Sequence, residues 1–561
     1  MSPRAPDRLA LMLGLTGLKR SRPRIAAFVA WAAIGGAAAG TPVRAEEPAT
    51  DGAAAVSLAN DLWPALQAKC VGCHQPAKTE GGYLMTDPQA FFAGGDSGLA
   101  AITPGDAAKS FLLDRVLLDE HGNAEMPPEG EPLSPEQVEL LKRWIEQGAA
   151  HDLPESGPRY DAQNPPEYAR PPLVPSLDWA PDGKTLAAAG FHEVLLSDPT
   201  SGERTGRLVG LSERVQSVRF SPDGTQLAVA GGLPGRTGEL QVWDLDFHPE
   251  TGVAIGGELA LSVPMTADTT YGVSWTPDGS KVAVGGADNA VHVLDAITGE
   301  PLVRMASHTD WALGTAFDAD GSHVVSAGRD GTVKLTEVAT GRFEDNITSI
   351  TPGALKGGIQ AIDRHPTRDL VVVGGADGLP KVFQLFRHTK RVIGDDANHV
   401  LDLFPMHGRT FAVQFDADGD RIAAGSGLDG VGEVIVATFG FDAEIPKPVL
   451  DAMASIPAKR NAAQKKTLAD YRDSGVQLLA RVPVPDAAIY AVAASPDGAM
   501  VAASGSDGLV RIIDVNEAKI IRTFSPAPLT QEGRDDAAAS QDQIDQKSID
   551  YIRDVTPVLS K

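Results

Sequence analysis

From Ser134 to Gly148 the apolar residues Val138, Leu141, Trp144 and Ile145 recur at three- and four-residue steps, which predicts a helix with one apolar face. Ser134-Pro135-Glu136-Gln137 forms a capping box with proline in the first turn, and Gly148 closes the helix. A second helix is predicted to start at Asp61, read as its N-cap, and to run through Leu62, Trp63 and Pro64 into Cys70. The pattern changes from about residue 176 to 524. Short apolar strands there alternate with tight turns: a strand, a Pro-Asp-Gly turn, a small-residue strand, an Asp-Gly turn and another strand.

Seven copies of this unit begin at 177–183, 215–224, 271–279, 311–321, 358–368, 410–419 and 489–498. The first turn recurs almost unchanged as Pro181-Asp182-Gly183, Pro222-Asp223-Gly224, Pro277-Asp278-Gly279 and Pro496-Asp497-Gly498. The second recurs as Asp330-Gly331, Asp377-Gly378, Asp429-Gly430 and Asp507-Gly508. A repeat of roughly 40–50 residues with four short strands predicts a β-propeller. The expected fold is therefore multidomain, a small mainly-α domain over 58–150 followed by an all-β propeller over 176–524, of seven blades by this count, with the long spacings leaving six or eight open. Seven prolines between 151 and 175 mark a semi-rigid linker. An insertion at 443–486 separates the last two blades and reads as helical around 460–471, either a surface excursion or a docking element.

A chain of 561 residues is too long for one core, and 59 glycines with 41 prolines suit a turn-rich β protein. The formal charge of −25 excludes the basic surface that nucleic acid requires. An electrostatically steered partner should be basic. The first 45 residues are the exception. Arg4, Arg8, Lys19, Arg20, Arg22 and Arg24 precede an apolar stretch over 25–40, and Val43-Arg44-Ala45 places small residues where a signal peptidase cuts. Residues 1–45 thus read as a signal peptide and 46–57 as a spacer, giving a periplasmic or otherwise extracytoplasmic location in a bacterium. The chain would meet a membrane only with this segment uncleaved.

The two cysteines fall together in Cys70-Val71-Gly72-Cys73-His74. Two thiols at this spacing suit the two vinyl groups of a haem, and the adjoining histidine reaches the iron as proximal ligand. Other uses of the pair fit less well. A redox dithiol wants a thioredoxin-like βαβ frame, and zinc lacks a fourth ligand. For the distal position Met126, in Glu125-Met126-Pro127-Pro128, is the first candidate, ahead of Met85, His121 and an open site. No nucleophile elbow, phosphate loop or His-Glu-x-x-His is present, so an electron carrier is expected rather than a catalyst. His151 and His192, near the domain junction, read as lone surface residues. Residues 525–561 read as an acidic tail, disordered over 525–548. At its end Asp554-x-x-Pro557-x-Leu559 echoes Asp61-x-x-Pro64-x-Leu66, either the remnant of a second haem module or a terminal amphipathic helix.

Residues 60–149 resemble the planctomycete-type cytochrome c domain. The resemblance rests on Asn60-Asp61-Leu62-Trp63-Pro64-Ala65-Leu66, Cys70–His74, Gly81-Gly82-Tyr83-Leu84, Ile102-Thr103-Pro104-Gly105, Ser110-Phe111-Leu112-Leu113, Met126-Pro127-Pro128 and Trp144-Ile145-Glu146-Gln147-Gly148-Ala149. It implies one haem c on Cys70 and Cys73, with His74 proximal and Met126 distal. The repeats resemble the WD-repeat family in a degenerate form. Only Trp243-Asp244 keeps the Trp-Asp pair, and Ser307-His308 is nearest to the usual Gly-His. Together the two resemblances imply an exported electron-transfer cytochrome whose propeller is a platform for redox partners. A scaffold with haem as sensor or structural element, and a haem enzyme with an open distal site, are the alternatives.

Overall fold

The computed structural model describes residues 55–531, apart from 76–77, 129, 154–159, 349–356, 389, 391–395, 397 and 443. Residues 1–45, read above as a signal peptide, and the Asp-x-x-Pro-x-Leu echo lie outside the described residues.

The N-terminal module is built from short helices around one apolar centre. A π-helical turn, Leu58–Leu62, leads into α1, Trp63–Lys69. Asp61 is not the N-cap expected from the sequence. Ser57 takes that place, its Oγ accepting from Asn60 N at 3.0 Å, while Asp61 reaches back to Ser57 N at 2.9 Å. The helical path starts earlier because Leu58 and Leu62, one turn apart, both bury their side chains. Then follow α2, Pro88–Ala93, capped by Asp87, and α3, Phe111–Val116. The last helix, α4, Pro135–Glu146, carries the Ser134/Gln137 capping box and buries Val138, Leu141, Trp144 and Ile145. Gly148 follows with φ 99°, a conformation open to glycine at little cost. Leu58, Leu66, Phe91, Leu141, Trp144 and Ile145 make the centre of the module.

Seven four-stranded antiparallel blades follow between Leu177 and Phe524. Blades 1 and 2 share one 17-residue strand, Arg204–Phe220. Its first part pairs with Phe191–Ser197 as the outer strand of blade 1, and its last part pairs with Gln226–Leu233 as the inner strand of blade 2. Blades 3 to 7 open with the inner strands Thr270–Trp275, Ala312–Phe317, Ile359–Arg364, Arg409–Phe415 and Ile489–Ala494. Each inner strand neighbours the next, and Ile489–Ala494 returns to Leu177–Trp179 of blade 1. The inner strands thus meet round the ring by packing, although among the described residues no hydrogen-bonded sheet runs round it and no blade borrows a strand from the other end of the chain.

Side chains stitch the inner strands together. An inner strand pairs on one edge only, so N–H groups on its other edge need acceptors. Ser176 Oγ accepts from Val218 N at 3.1 Å, and Asp178 accepts from Phe220 N at 2.7 Å. Ser217 Oγ serves Val273 N at 3.1 Å, Asp363 serves Phe415 N at 2.8 Å, and Gln414 Oε1 serves Ala494 N at 2.7 Å. Each acceptor belongs to one blade and each donor to the next. Blade 4 has a turn lock of its own. His308 is buried, with Nδ1 3.1 Å from Asp330 and Nε2 2.8 Å from Ser326 Oγ, and Asp330 also accepts from Thr309 N at 3.0 Å.

The seam between blades 7 and 1 is held by the segments flanking the propeller. Val174 N donates to Gly505 O at 3.1 Å, Tyr168 N to Pro528 O at 3.2 Å, and Thr530 N to Tyr168 O at 2.9 Å. Tyr168, Val174, Leu177, Ala491, Ile512 and Ala527 pack into one cluster there. Residues 525–530 are thus part of the seam and not of a disordered tail, since Ala527 and Leu529 give them an apolar side to bury. The insertion is shorter than 443–486. Its helices α5, Lys447–Met453, and α6, Ala462–Gly475, lie between the third and fourth strands of blade 6. Residues 478–484 alternate exposed and buried positions and form that fourth strand.

Two expectations follow from the stitching. Ser217→Ala leaves Val273 N–H buried without an acceptor and should cost about 1–3 kcal/mol in urea denaturation. Burial pushes the Asp363 carboxyl up from 3.8 to about 6, with Arg219 and the Phe415 N–H offsetting only part of the effect. The unfolded chain ionises this group first, so its contribution to stability falls as pH rises from about 4 to about 6. Asp363→Asn should remove that component of the slope in denaturation curves taken across the range.

Candidate functional site

The Cys-x-x-Cys-His segment leaves α1 in a tight turn. Cys70 N donates to Leu66 O at 2.8 Å, Cys73 N to Cys70 O at 3.1 Å, and His74 N to Val71 O at 3.2 Å. His74–Gln75 pairs with Lys78–Thr79 in a short hairpin. Two further bonds hold the hairpin down, Glu80 N to Cys73 O at 3.0 Å and Met85 N to His74 O at 2.9 Å. The Tyr83 ring lies 5.3 Å from the His74 ring, and its hydroxyl donates to Phe91 O at 2.8 Å. Burial, followed by the neighbouring Cys70, pushes the Tyr83 hydroxyl far up, so it stays a donor.

Cys70, Cys73, His74 and Met126 all open on one cleft of about 400 Å3, within the size range of small-molecule sites. Met85, Phe111, Leu112 and Val116 supply apolar wall. The cysteines are not joined by a disulfide. Burial pushes the Cys70 thiol up to about 11, which Lys69 only partly opposes. Reactive redox dithiols show the opposite shift. His74 Nδ1 is buried and has no hydrogen-bond partner among the described residues. Two thiols, an imidazole with an unsatisfied nitrogen, a thioether and an apolar wall form a donor set that fits haem.

Met126 is half-buried, and its N–H donates to Arg115 O at 2.9 Å; the Met126–Pro127 peptide is cis. Met85 lines the same cleft but is only 2 % exposed and belongs to the module core. His121 is exposed, sits 3.6 Å from Glu120 and does not line the cleft. The two histidines read as lone surface residues are half-buried. His151 packs against Phe91 and Phe92, with ring centroids 6.2 and 5.9 Å away. His192 Nδ1–H donates to Leu211 O at 3.0 Å, beside Phe191.

Sequence reasoning missed Gly94-Gly95. A Cβ on Gly95 would lie 2.1 Å from Gly81 O and 2.8 Å from Tyr83 N. The two Gly-Gly pairs, 81–82 and 94–95, therefore pack backbone on backbone, and the cleft wall carrying Tyr83 depends on that approach. Their spacing on either side of α2 was the available signal.

Residues 70–130 match the family described as Planctomycete cytochrome C. Residues 202–244, 299–336 and 477–514 match the WD domain, G-beta repeat. The last two matches each start on the outer strand of one blade and end in the next, the stagger that the shared strand Arg204–Phe220 makes covalent at blades 1 and 2. Among curated proteins the chain is 28% identical over 152 residues to Cell division cycle 20.1, cofactor of APC complex, of Arabidopsis thaliana, covering 21% of this chain and 33% of that protein. It is 33% identical over 105 residues to an uncharacterized WD repeat-containing protein of Synechocystis sp., covering 18% and 26%. The chain thus spans about a third and about a quarter of these relatives. Fold, cleft and matches define a cytochrome c-type domain joined to a repeat propeller. More narrowly, this chain fuses a planctomycete cytochrome C domain to WD40 repeats.

Gly95→Ala should separate the two glycine pairs and destabilise the module by about 1–3 kcal/mol, the usual cost of overpacking. Thermal unfolding followed through tryptophan fluorescence checks this, since Trp63 and Trp144 both pack in the module.

Proposed function

We propose that this chain is an exported electron-transfer cytochrome, with one haem c bound through thioethers to Cys70 and Cys73 and with His74 and Met126 as axial ligands. The observation that carries the reading is the convergence of all four side chains on one cleft. Haem would supply a one-electron ferrous/ferric couple there. The protein's part is to hold the ligands. The hairpin and Tyr83 orient His74, and the Arg115 carbonyl fixes the backbone of Met126. A thioether ligand favours the ferrous state relative to a second imidazole, so a comparatively high potential is expected.

The propeller serves in this reading as a docking platform. WD repeats support a role in protein interaction, and the Arabidopsis relative is itself named as a cofactor of a complex. The charge of −25 favours a redox partner with a basic docking surface. Export to the periplasm is supported by the basic and apolar start of the sequence and by the extracytoplasmic attachment of haem c.

Protein produced with periplasmic export should keep a haem stain through denaturing electrophoresis and lose it when Cys70 and Cys73 are both replaced by serine. Met126→Ala should abolish the far-red Met–Fe charge-transfer band and lower the midpoint potential, with the far-UV circular dichroism unchanged. Wild-type protein lacking that band and binding CO readily would overturn the His/Met assignment in favour of an open site.

A further inference from the structure

A haem carries two propionate carboxylates, and a site that takes haem needs donors for them. Two cations line the cleft, Lys69 and Arg115. Lys69 immediately precedes Cys70, and its Nζ donates to Glu131 O and Pro132 O at 3.0 and 2.9 Å. A thioether on Cys70 fixes the vinyl side of the porphyrin next to Lys69, while the propionates stand on the opposite side of the ring. Arg115 comes from a different element, α3. Its guanidinium stacks over Phe111 at 4.5 Å, and its Nη atoms meet Asp114, at 2.6 Å, and Glu125. Its Nε is buried and has no acceptor among the described residues. A charged donor left so is expensive unless an acceptor arrives.

Resting on the haem reading above, we propose that Arg115 Nε is the donor to a haem propionate, and that its charge helps to set the potential of the site. The two carboxylates already on the guanidinium do not block this. Asp114 and Glu125 are 60% and 62% exposed, and exposed ion pairs of this kind contribute only about 0–1 kcal/mol, so either can turn to water as the propionate arrives. Glu80 and Asp96 also line the cleft and disfavour a carboxylate beside them, which leaves Arg115 as the receptive point. Because the Arg115 carbonyl also accepts from Met126 N, one residue would join the porphyrin edge to the distal ligand loop.

The test is spectroelectrochemistry on full-length, haem-loaded protein carrying Arg115→Gln, Arg115→Lys or Glu125→Gln. Loss of the cation favours the ferric state, so R115Q should lower the midpoint potential while keeping the Met–Fe band. The released propionate should then titrate, giving R115Q a potential that falls with rising pH between about pH 5 and about pH 8, where the wild type stays flat. R115K should restore most of the wild-type value, and E125Q should keep the flat profile. A loaded R115Q with wild-type potential and profile overturns the assignment. An E125Q that reproduces the R115Q shift does the same, because the effect would then run through the surface ion pair. Wild-type protein without a denaturation-resistant haem stain would instead overturn the haem reading itself, and the same preparations report it.

Discussion

At four joints between neighbouring blades a side chain of one blade accepts from a backbone N–H on the inner strand of the next, across an edge that no sheet hydrogen bond covers, and the propeller leans on that pairing. An unpaired buried N–H costs about as much as a lost hydrogen bond. Here the acceptors are short polar side chains on the preceding inner strand: Ser176 and Asp178, Ser217, Asp363 and Gln414. They explain polar residues at positions where strand patterning asks for apolar ones. They also help the ring to close, among the described residues, without a strand drawn from the far end of the chain. At the one joint where blade 7 meets blade 1, the flanking segments at 168–174 and 525–530 supply the missing bonds.

The repeat was legible because turn chemistry is local. Pro-Asp-Gly and Asp-Gly need particular dihedrals, so they stay visible where the Trp-Asp pair has been lost. The seam was not legible. Ala527 and Leu529 sit in a short weakly apolar run beside acidic sequence, and only the returning strand 489–494 shows what they cover. The end of the insertion was misplaced for a related reason, since Leu478–Val484 follows α6 almost directly and no turn signal separates them. Asp61 illustrates a third limit. Several capping residues stood within five positions, and burial of Leu58 decided between them.

In the cytochrome module the reverse holds. The chemistry proposed for Cys70, Cys73 and His74 could be read from five adjacent residues, because a pair of thiols two residues apart followed at once by histidine is a local pattern. What surrounds them could not. Tyr83, Arg115 and Gly95 reach the cleft from separate elements, and each matters through one contact: a ring beside His74, an unsatisfied Nε, and a backbone approach that excludes any side chain. Met126 lies between these cases. The prolines after it marked a defined loop, but its place in the cleft depends on α3 through the Arg115 carbonyl.

Among the described residues no strand is exchanged across the ring, which bears on how the chain is made. A propeller that borrows a strand from its far end cannot finish its first blade until synthesis ends. Here each blade is complete once its own fourth strand has emerged, and blades 1 and 2 mature as a pair because they share Arg204–Phe220. Assembly can then proceed blade by blade from the N-terminal end. The joint at Tyr168, like the packing of blade 7 on blade 1, must wait until residues 489–530 have emerged.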